Sequence, residues 1–372
     1  MNGSSWFQRF LLPGFAFNAV VIGGGYATGR ELAEFFLPAG PWGGLLAMAL
    51  ATAIWSVVCV ATFLFARATG SEDYRSFFRN LLGPFWVTFE GAYVFFIVLI
   101  LAVFGAAAGA LGVAAFGWPP LAGTLCLVGA IAAFTAFGNA SVERLFKYAT
   151  LFLFVVYAVF VLLSLGHFGD RIAAGFAVPV SAEGWIGAGV TYASYNVTAA
   201  VIILPVLRHI TRTSEAVTAG LLAGPLAMIP GALFFVCMIA FYPQIGAEAL
   251  PADFLLLQLG LPVLHIAFQF MIFIALVGTG VGAVHAINER IAVVWTAARQ
   301  RPFSSANRVT VAGALLLGSI FVADRFGFVA LIARGYRLLA WIFLAVYILP
   351  LMTWGVWRLW TWRSGRTAAN TS

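Results

Sequence analysis

The feature that most limits this chain is a succession of uncharged apolar runs, 18 residues or longer, recurring from Leu11 to Trp357. A run of that length spans the hydrocarbon of a bilayer as a helix. Only 9% of the 372 residues are charged and 63% are apolar, against roughly a quarter charged in a soluble domain. Such a chain cannot cover a water-facing surface, and the runs leave no room for a separate soluble domain. Breaking at Pro, Gly and charge clusters places spans near 10–37, 43–67, 85–113, 119–138, 145–167, 185–208, 213–243, 261–298, 305–323 and 327–357. The eighth is too long for one crossing and is expected to continue as helix beyond the membrane. The first follows Arg9 but runs past Phe36, carries glycines in its middle and lacks a small-x-small cleavage site. It reads as a spanning helix, not a leader.

The net charge of +7 comes with one lysine, Lys147, against nineteen arginines. In a soluble protein that balance would raise nucleic-acid binding; in short loops between spans it reads as topology. With the N-terminus inside, fifteen of the twenty basic residues fall on the inner side, so both termini are expected to be cytoplasmic. Cys59, Cys126 and Cys237 lie far apart inside apolar runs and form no disulfide or metal pattern. Trp42, Trp86, Trp118 and Trp185 lie at span ends, where aromatic belts form. The stretch from Ser71 to Asn80 reads as a short amphipathic helix on the inner surface.

Ten spans divide five and five, with repeat one over about 10–167 and repeat two over about 185–357 of a single transmembrane domain, 1–372. Five is odd, so the halves cross in opposite senses. The first half opens with a helix interrupted at Gly23-Gly24-Gly25-Tyr26-Ala27-Thr28-Gly29. The second opens with Gly187-Ala188-Gly189-Val190-Thr191-Tyr192-Ala193-Ser194-Tyr195-Asn196-Val197-Thr198, polar where a lipid-facing helix would be apolar. Interrupted helices at matching positions of inverted halves point to a transporter binding site. An interruption frees backbone groups that hydrocarbon does not tolerate unless a solute, ion or water takes them.

These residues resemble a known family. Gly23-Gly24-Gly25-Tyr26-Ala27-Thr28-Gly29-Arg30-Glu31 followed by Phe35-Phe36 is similar to the first helix of the YkvI family of bacterial membrane proteins, and Leu331-Ile332-Ala333-Arg334-Gly335-Tyr336 resembles the same family. YkvI-like proteins look like relatives of the LeuT-fold transporters of the amino acid–polyamine–organocation superfamily. A second likeness, Gly138…Glu143-Arg144…Lys147, is to the sodium-coupled neurotransmitter transporters of that fold. The resemblance implies an all-α LeuT-like membrane protein with helices 1 and 6 broken near the midplane, in a bacterial inner membrane.

It also implies roles. The half-helix after the first break would present bare N–H groups near Ala27 to Gly29, suited to a carboxylate, which is where LeuT-like transporters hold the substrate carboxylate. Gly23, Gly24, Gly25, Tyr26, Thr28, Ser194, Tyr195 and Asn196 are the expected solute-binding residues, with Asn18 and Thr198 behind them. In the sodium-coupled relatives two adjacent hydroxyls of the eighth helix help bind sodium; here Thr279 matches the second, while Gly278 replaces the first. Val20, Gly23, Ala275 and Thr279 would form the ion site, with Na+ or H+ as the coupling ion and no transition metal or other cofactor. LeuT-like proteins close the outer gate with a charged pair; Glu31–Arg334 is the expected pair and Arg30–Asp324 the alternative. Glu90, in the third span, is either a proton-coupling carboxylate or the partner of Lys147 or an inner arginine. Lys147 is expected to anchor the inner gate. His285, Asn288, Glu289 and Arg290 read as inner gate or cap, and His265 and Gln269 as packing.

The expected function is cation-coupled secondary transport of a small solute, an amino acid or a related carboxylate or amine, by alternating access. Alternatives are a proton-coupled carrier of another organic solute, or a solute sensor or channel on the same scaffold. An intramembrane enzyme would need a convergent Asp, Glu or His set, and Glu90, Glu143 and Glu289 lack that spacing. No nucleotide-binding loop is present, so ATP-driven export would need another subunit; the expected partners are the solute and the bilayer, with no nucleic acid.

Overall fold

The computed structural model describes residues 5–137 and 139–361, and its described residues contain helices and no strands. Seven helices are long and apolar enough to cross a membrane. Three further crossings complete the ten: the shorter Pro120–Phe137 and two interrupted helices that open the two halves. In chain order these are α1 (Trp6–Phe10), then α2 (Leu12–Val21), α3 (Gly24–Ala27) and α4 (Arg30–Phe35), which together make the first crossing. There follow α5 (Gly40–Thr69), α6 (Tyr74–Leu82), α7 (Trp86–Phe116), α8 (Pro120–Phe137) and α9 (Asn139–Phe176). The second half runs through α10 (Trp185–Asn196) and α11 (Ala199–Ile202), α12 (Thr213–Ile239), α13 (Pro251–Leu259), α14 (Pro262–Arg299), α15 (Ser305–Phe326) and a last helix, Phe328–Thr361.

The contacts exchange between halves as an inverted repeat requires. The first crossing packs through α2 on α12, and its counterpart α10 packs on α5; α15 packs on α7, and α14 on α8. Close approach at these seams is set by small residues. A Cβ on Gly220 would lie 2.7 Å from the Val60 backbone, and one on Gly189 2.7 Å from the Ala47 carbonyl.

α12 carries Pro225 and Pro230 in its interior, and each removes the hydrogen bond to a carbonyl four residues earlier. In hydrocarbon such a carbonyl needs another donor. The Ser56 hydroxyl donates to Leu221 O at 2.9 Å, and the Asn18 amide to Leu226 O at 3.0 Å. Both proline-freed carbonyls are thus answered by polar side chains of the facing helices.

α14 is 38 residues long, about 57 Å at 1.5 Å per residue, and outruns the bilayer as its length in the sequence implies. The amphipathic segment forms α6, capped by Asp73, whose carboxylate accepts the Ser76 amide at 2.9 Å. Its buried face carries Phe77, Phe78 and Leu81. α13 was not foreseen: the segment after α12 returns into the bundle, and the Ala252 amide donates to Thr28 O at 2.9 Å. α1, α6 and the ends of α5 and the last helix share one end of the bundle, joined by Arg9–Glu215, Arg67–Ile210 O and Arg358–Asn80 O contacts. α13 lies at the other end.

Candidate functional site

The first interruption is a true break. α2 stops at Val21, Ile22 and Gly23 leave the helix, α3 makes one turn, and α4 restarts after Gly29. Gly29 has φ +79°, a left-handed conformation open to glycine, and a Cβ there would meet the Phe234 ring at 2.7 Å. Gly25 is required for a different reason: a Cβ on it would fall inside the Glu31 carboxyl group. The side chain of α4 therefore folds back over the break, and the third glycine is the room it occupies. Thr28 closes the turn by donating to Gly25 O at 3.0 Å.

The second interruption is milder. α10 runs without a gap from Trp185 to Asn196, so Gly187 and Gly189 are interior helical residues rather than a break. Val197 and Thr198 keep helical angles, and the chain changes pitch there, with Ala200 N donating to Val197 O and Val201 N to Thr198 O. The three-residue spacing continues into Leu204–His209.

Several expected solute groups are satisfied within their own helix. The Ser194 hydroxyl donates to Val190 O, the Asn196 amide to Tyr192 O and the Thr198 hydroxyl to Tyr195 O. Tyr26 points its hydroxyl at Ala227 O, 3.5 Å away. What joins the two breaks is Glu31, 3% exposed, whose Oε2 accepts from the Tyr195 hydroxyl at 2.6 Å. Aromatic rings enclose this pair. Tyr195 lies 4.7 Å from Tyr336, 5.5 Å from Tyr192 and 5.6 Å from Phe35 between ring centroids. The Tyr192 hydroxyl is fully buried and has no hydrogen-bond partner among the described residues.

The expected outer pairs are not formed. Arg334 is exposed, and in the same π-helical turn, Leu331–Tyr336, it is Tyr336 that is buried. Glu31 instead meets Tyr195. Arg30 does not reach Asp324; it pairs with Glu34 at 2.7 Å and donates to Gly246 O and Glu248 O at 2.8 and 2.9 Å. It thereby ties α4 to the segment before α13. Asp324 lines a separate cavity of about 590 Å³ with Thr124, Glu248 and Asp253. No residue of either break lines that cavity, so its size does not mark the site. His265 and Gln269 both bond the Asp253 carboxylate, at 2.5 and 2.8 Å, holding α13 on α14.

Glu90 is ion-paired rather than free. It contacts Arg290 of α14 and stands 3.6 Å from Arg75 of α6, and Arg290 lies over the Tyr74 and Tyr93 rings. The side chains of Lys147, Glu143 and Arg144 and the whole of Gly138 lie outside the described residues. At the expected ion site, α14 packs on α3. Thr52, Thr62 and Thr135 donate to the carbonyl four residues earlier, but the partly buried Thr279 makes no hydrogen bond among the described residues. No group of three His, Cys, Asp or Glu that could hold a metal occurs among them either.

No family model matches the chain, and no curated protein matches it in sequence. The likeness to the YkvI family therefore rests on the residues quoted above. Solved structures do match over nearly the whole chain. It is similar to MhsT in complex with L-phenylalanine, at 18% identity over 96% of this chain and 95% of the other, with a TM-score of 0.57. It is similar to a substrate-bound, outward-open Na+-coupled sialic acid symporter, at 12% identity over 95% and 82% with a TM-score of 0.60. The Eremococcus coleocola manganese transporter follows at 15% identity over 94% and 80%, with a TM-score of 0.53. The chain is a multi-pass membrane protein with the LeuT fold of membrane transporters.

Proposed function

We propose that this protein is a secondary active transporter that carries a small organic solute, an amino acid or a related amine or carboxylate, by alternating access. The observation that carries the reading is the Glu31–Tyr195 contact, which joins the two interrupted crossings in the interior of the bundle. Solute bound between a helix that breaks there and one that changes pitch there would take up the backbone groups freed by the first and differ in its contacts as the halves rock. Gly23, Gly24, Gly25, Tyr26, Thr28, Ser194, Tyr195 and Asn196 are the proposed surroundings of the solute.

The coupling ion is proposed to be Na+, held by Thr279 with carbonyls of Val20, Gly23 and Ala275; the unpartnered Thr279 hydroxyl supports this. Protons are the alternative coupling ion. Arg30, through the segment before α13, and Glu90, through Arg290 and Arg75, are proposed to hold the two ends of the bundle closed in turn, and Lys147 is proposed to serve the inner gate. The arginine distribution supports an inner-membrane orientation with both termini in the cytoplasm.

The test is thermal unfolding of the purified protein in detergent with amino acids, amines and carboxylic acids, each in sodium and in potassium buffer. A solute that binds the folded state raises the midpoint by mass action, and the solute that does so should then accumulate in proteoliposomes against its gradient. Stabilisation without saturable uptake would remove the transport reading.

A further inference from the structure

We propose that the Glu31 carboxyl is the subsite for a positively charged nitrogen, so that the solute carried by this protein is a small organic ammonium ion or bears one. This rests on the transporter reading above and names the chemistry of the same site.

The first argument is charge. Glu31 is buried, and among the described residues no Lys, Arg or His lies within ion-pair distance of it. Its neighbour Arg30 is turned away, spent on Glu34 and two carbonyls at the end of the bundle. Arg334, the cation the sequence offers, is on the surface. The groups that face Glu31 from α3, α10 and the last helix are phenols: Tyr26, Tyr192, Tyr195 and Tyr336. An ionised carboxylate in such a place is stable only when a cation joins it.

The second argument is the lining. The ring of Tyr195, whose hydroxyl meets the carboxyl group, lies 4.7 Å from Tyr336, 5.5 Å from Tyr192 and 5.6 Å from Phe35, and Phe35 and Tyr192 are 5.8 Å apart. Rings at such spacing present electron-rich faces to a cation lying within about 6 Å of their centroids. The Tyr192 hydroxyl, buried without a partner, is a further acceptor for an N–H.

The third argument excludes the opposite charge. In the space over Gly25, where a solute carboxylate would approach the backbone amides of the break, the chain's own carboxylate already lies. Two carboxylates in one dry site repel each other. A solute whose only charge is a carboxylate is therefore rejected, and a zwitterion must place its own carboxylate away from Gly25.

The experiment compares three matched sets on the full-length protein in detergent: leucine, 3-methylbutylamine and 4-methylpentanoate; phenylalanine, phenethylamine and 3-phenylpropanoate; and tetramethylammonium beside neutral neopentyl alcohol. Thermal midpoints give affinities for wild type, Glu31→Gln and Tyr195→Phe, with gel filtration as the check that each variant is folded. The expected result is that amine-bearing members stabilise wild type, the bare acids and the alcohol do not, and Glu31→Gln weakens amine binding about 30-fold or more. Tyr195→Phe, which keeps the ring, should weaken it severalfold and serves if Glu31→Gln does not fold. Amine binding unchanged in either folded variant overturns the proposal. A response to the acids or the alcohol but to no amine also overturns it, while leaving the transporter reading standing. Silence across all three sets counts against both.

Discussion

Two carboxylates inside this bundle have opposite surroundings. Glu90 stands near the end that carries α6, where Arg290 and Arg75 supply two positive charges to one negative. Glu31 stands between the two interrupted helices, where tyrosines surround it and the arginines face elsewhere. The first is neutralised by the protein itself, and its pairing ties α6, α7 and α14 together at the end it is proposed to close. The second is left to be neutralised by something the protein does not contain. A membrane protein that keeps a carboxylate in each kind of place separates the charge that holds it together from the charge that receives a ligand.

Stability and binding should therefore part company between the two positions. The largest effect is expected at Glu90→Gln. It leaves the Arg290 guanidinium, 8% exposed, without its partner, at a cost of about 2–3 kcal/mol, read as a lower thermal midpoint. A paired Glu90→Leu, Arg290→Met change should recover most of that loss. A wild-type midpoint for Glu90→Gln would break the comparison from its structural side.

Gly25→Ala comes next, because its Cβ and the Glu31 carboxyl cannot share one space. The cost should be about 2 kcal/mol, and Gly25→Ala with Glu31→Ala should cost less than the sum of the two single changes. Additivity in that cycle would mean that the carboxyl does not lie over Gly25. Asn18→Leu removes the donor that answers the carbonyl freed by Pro230 and should lower stability by about 1 kcal/mol. Reverting Pro230 to Ala beside it should rescue the loss, which a general packing defect would not show.

Glu31→Gln should hardly change stability, by less than about 1 kcal/mol, since no cation loses a partner; a drop as large as that of Glu90→Gln would erase the contrast. Smallest of all is Thr279→Val, which keeps the shape of the side chain. It should leave the midpoint in potassium buffer unchanged and abolish any extra stabilisation in sodium. Sodium stabilisation that survives in Thr279→Val would move the proposed ion site elsewhere.

Some of the site was legible in the residues and some was not, for physical reasons. The triple glycine announced a break, because no run of three glycines is left in a membrane helix without use. The polar stretch of the second half announced the counterpart, but not its form. Thr191 to Thr198 carry the polarity of an unwound segment, yet Ser194, Asn196 and Thr198 bond carbonyls of their own crossing and the chain only tightens its pitch. Glu31 reads as a gate residue because it lies just beyond the first break, where LeuT-like transporters place a charged pair. Its return over Gly25 depends on a glycine six positions earlier and on a tyrosine from the other half. The turn that exposes Arg334 and buries Tyr336 is equally silent in the sequence, since a single π-helical turn leaves no periodicity to read.

The sequence by itself determined that this chain is a bundle of ten membrane crossings in two halves, with the first of each half interrupted. Hydrocarbon imposes those features locally: about twenty apolar residues per crossing, and glycine or polar residues wherever a helix may open. The tertiary structure alone decided which charges meet. Glu31 finds Tyr195 across 164 residues of chain, Arg30 finds Gly246 O across 216, and Glu90 finds Arg290 across 200. Ionic and hydrogen-bond partners inside a membrane are chosen by which helix faces come together and by the turns that set their phase. Neither is a property of a local run of residues, so the carboxylate with no cation beside it came to light only when the two halves were seen in contact.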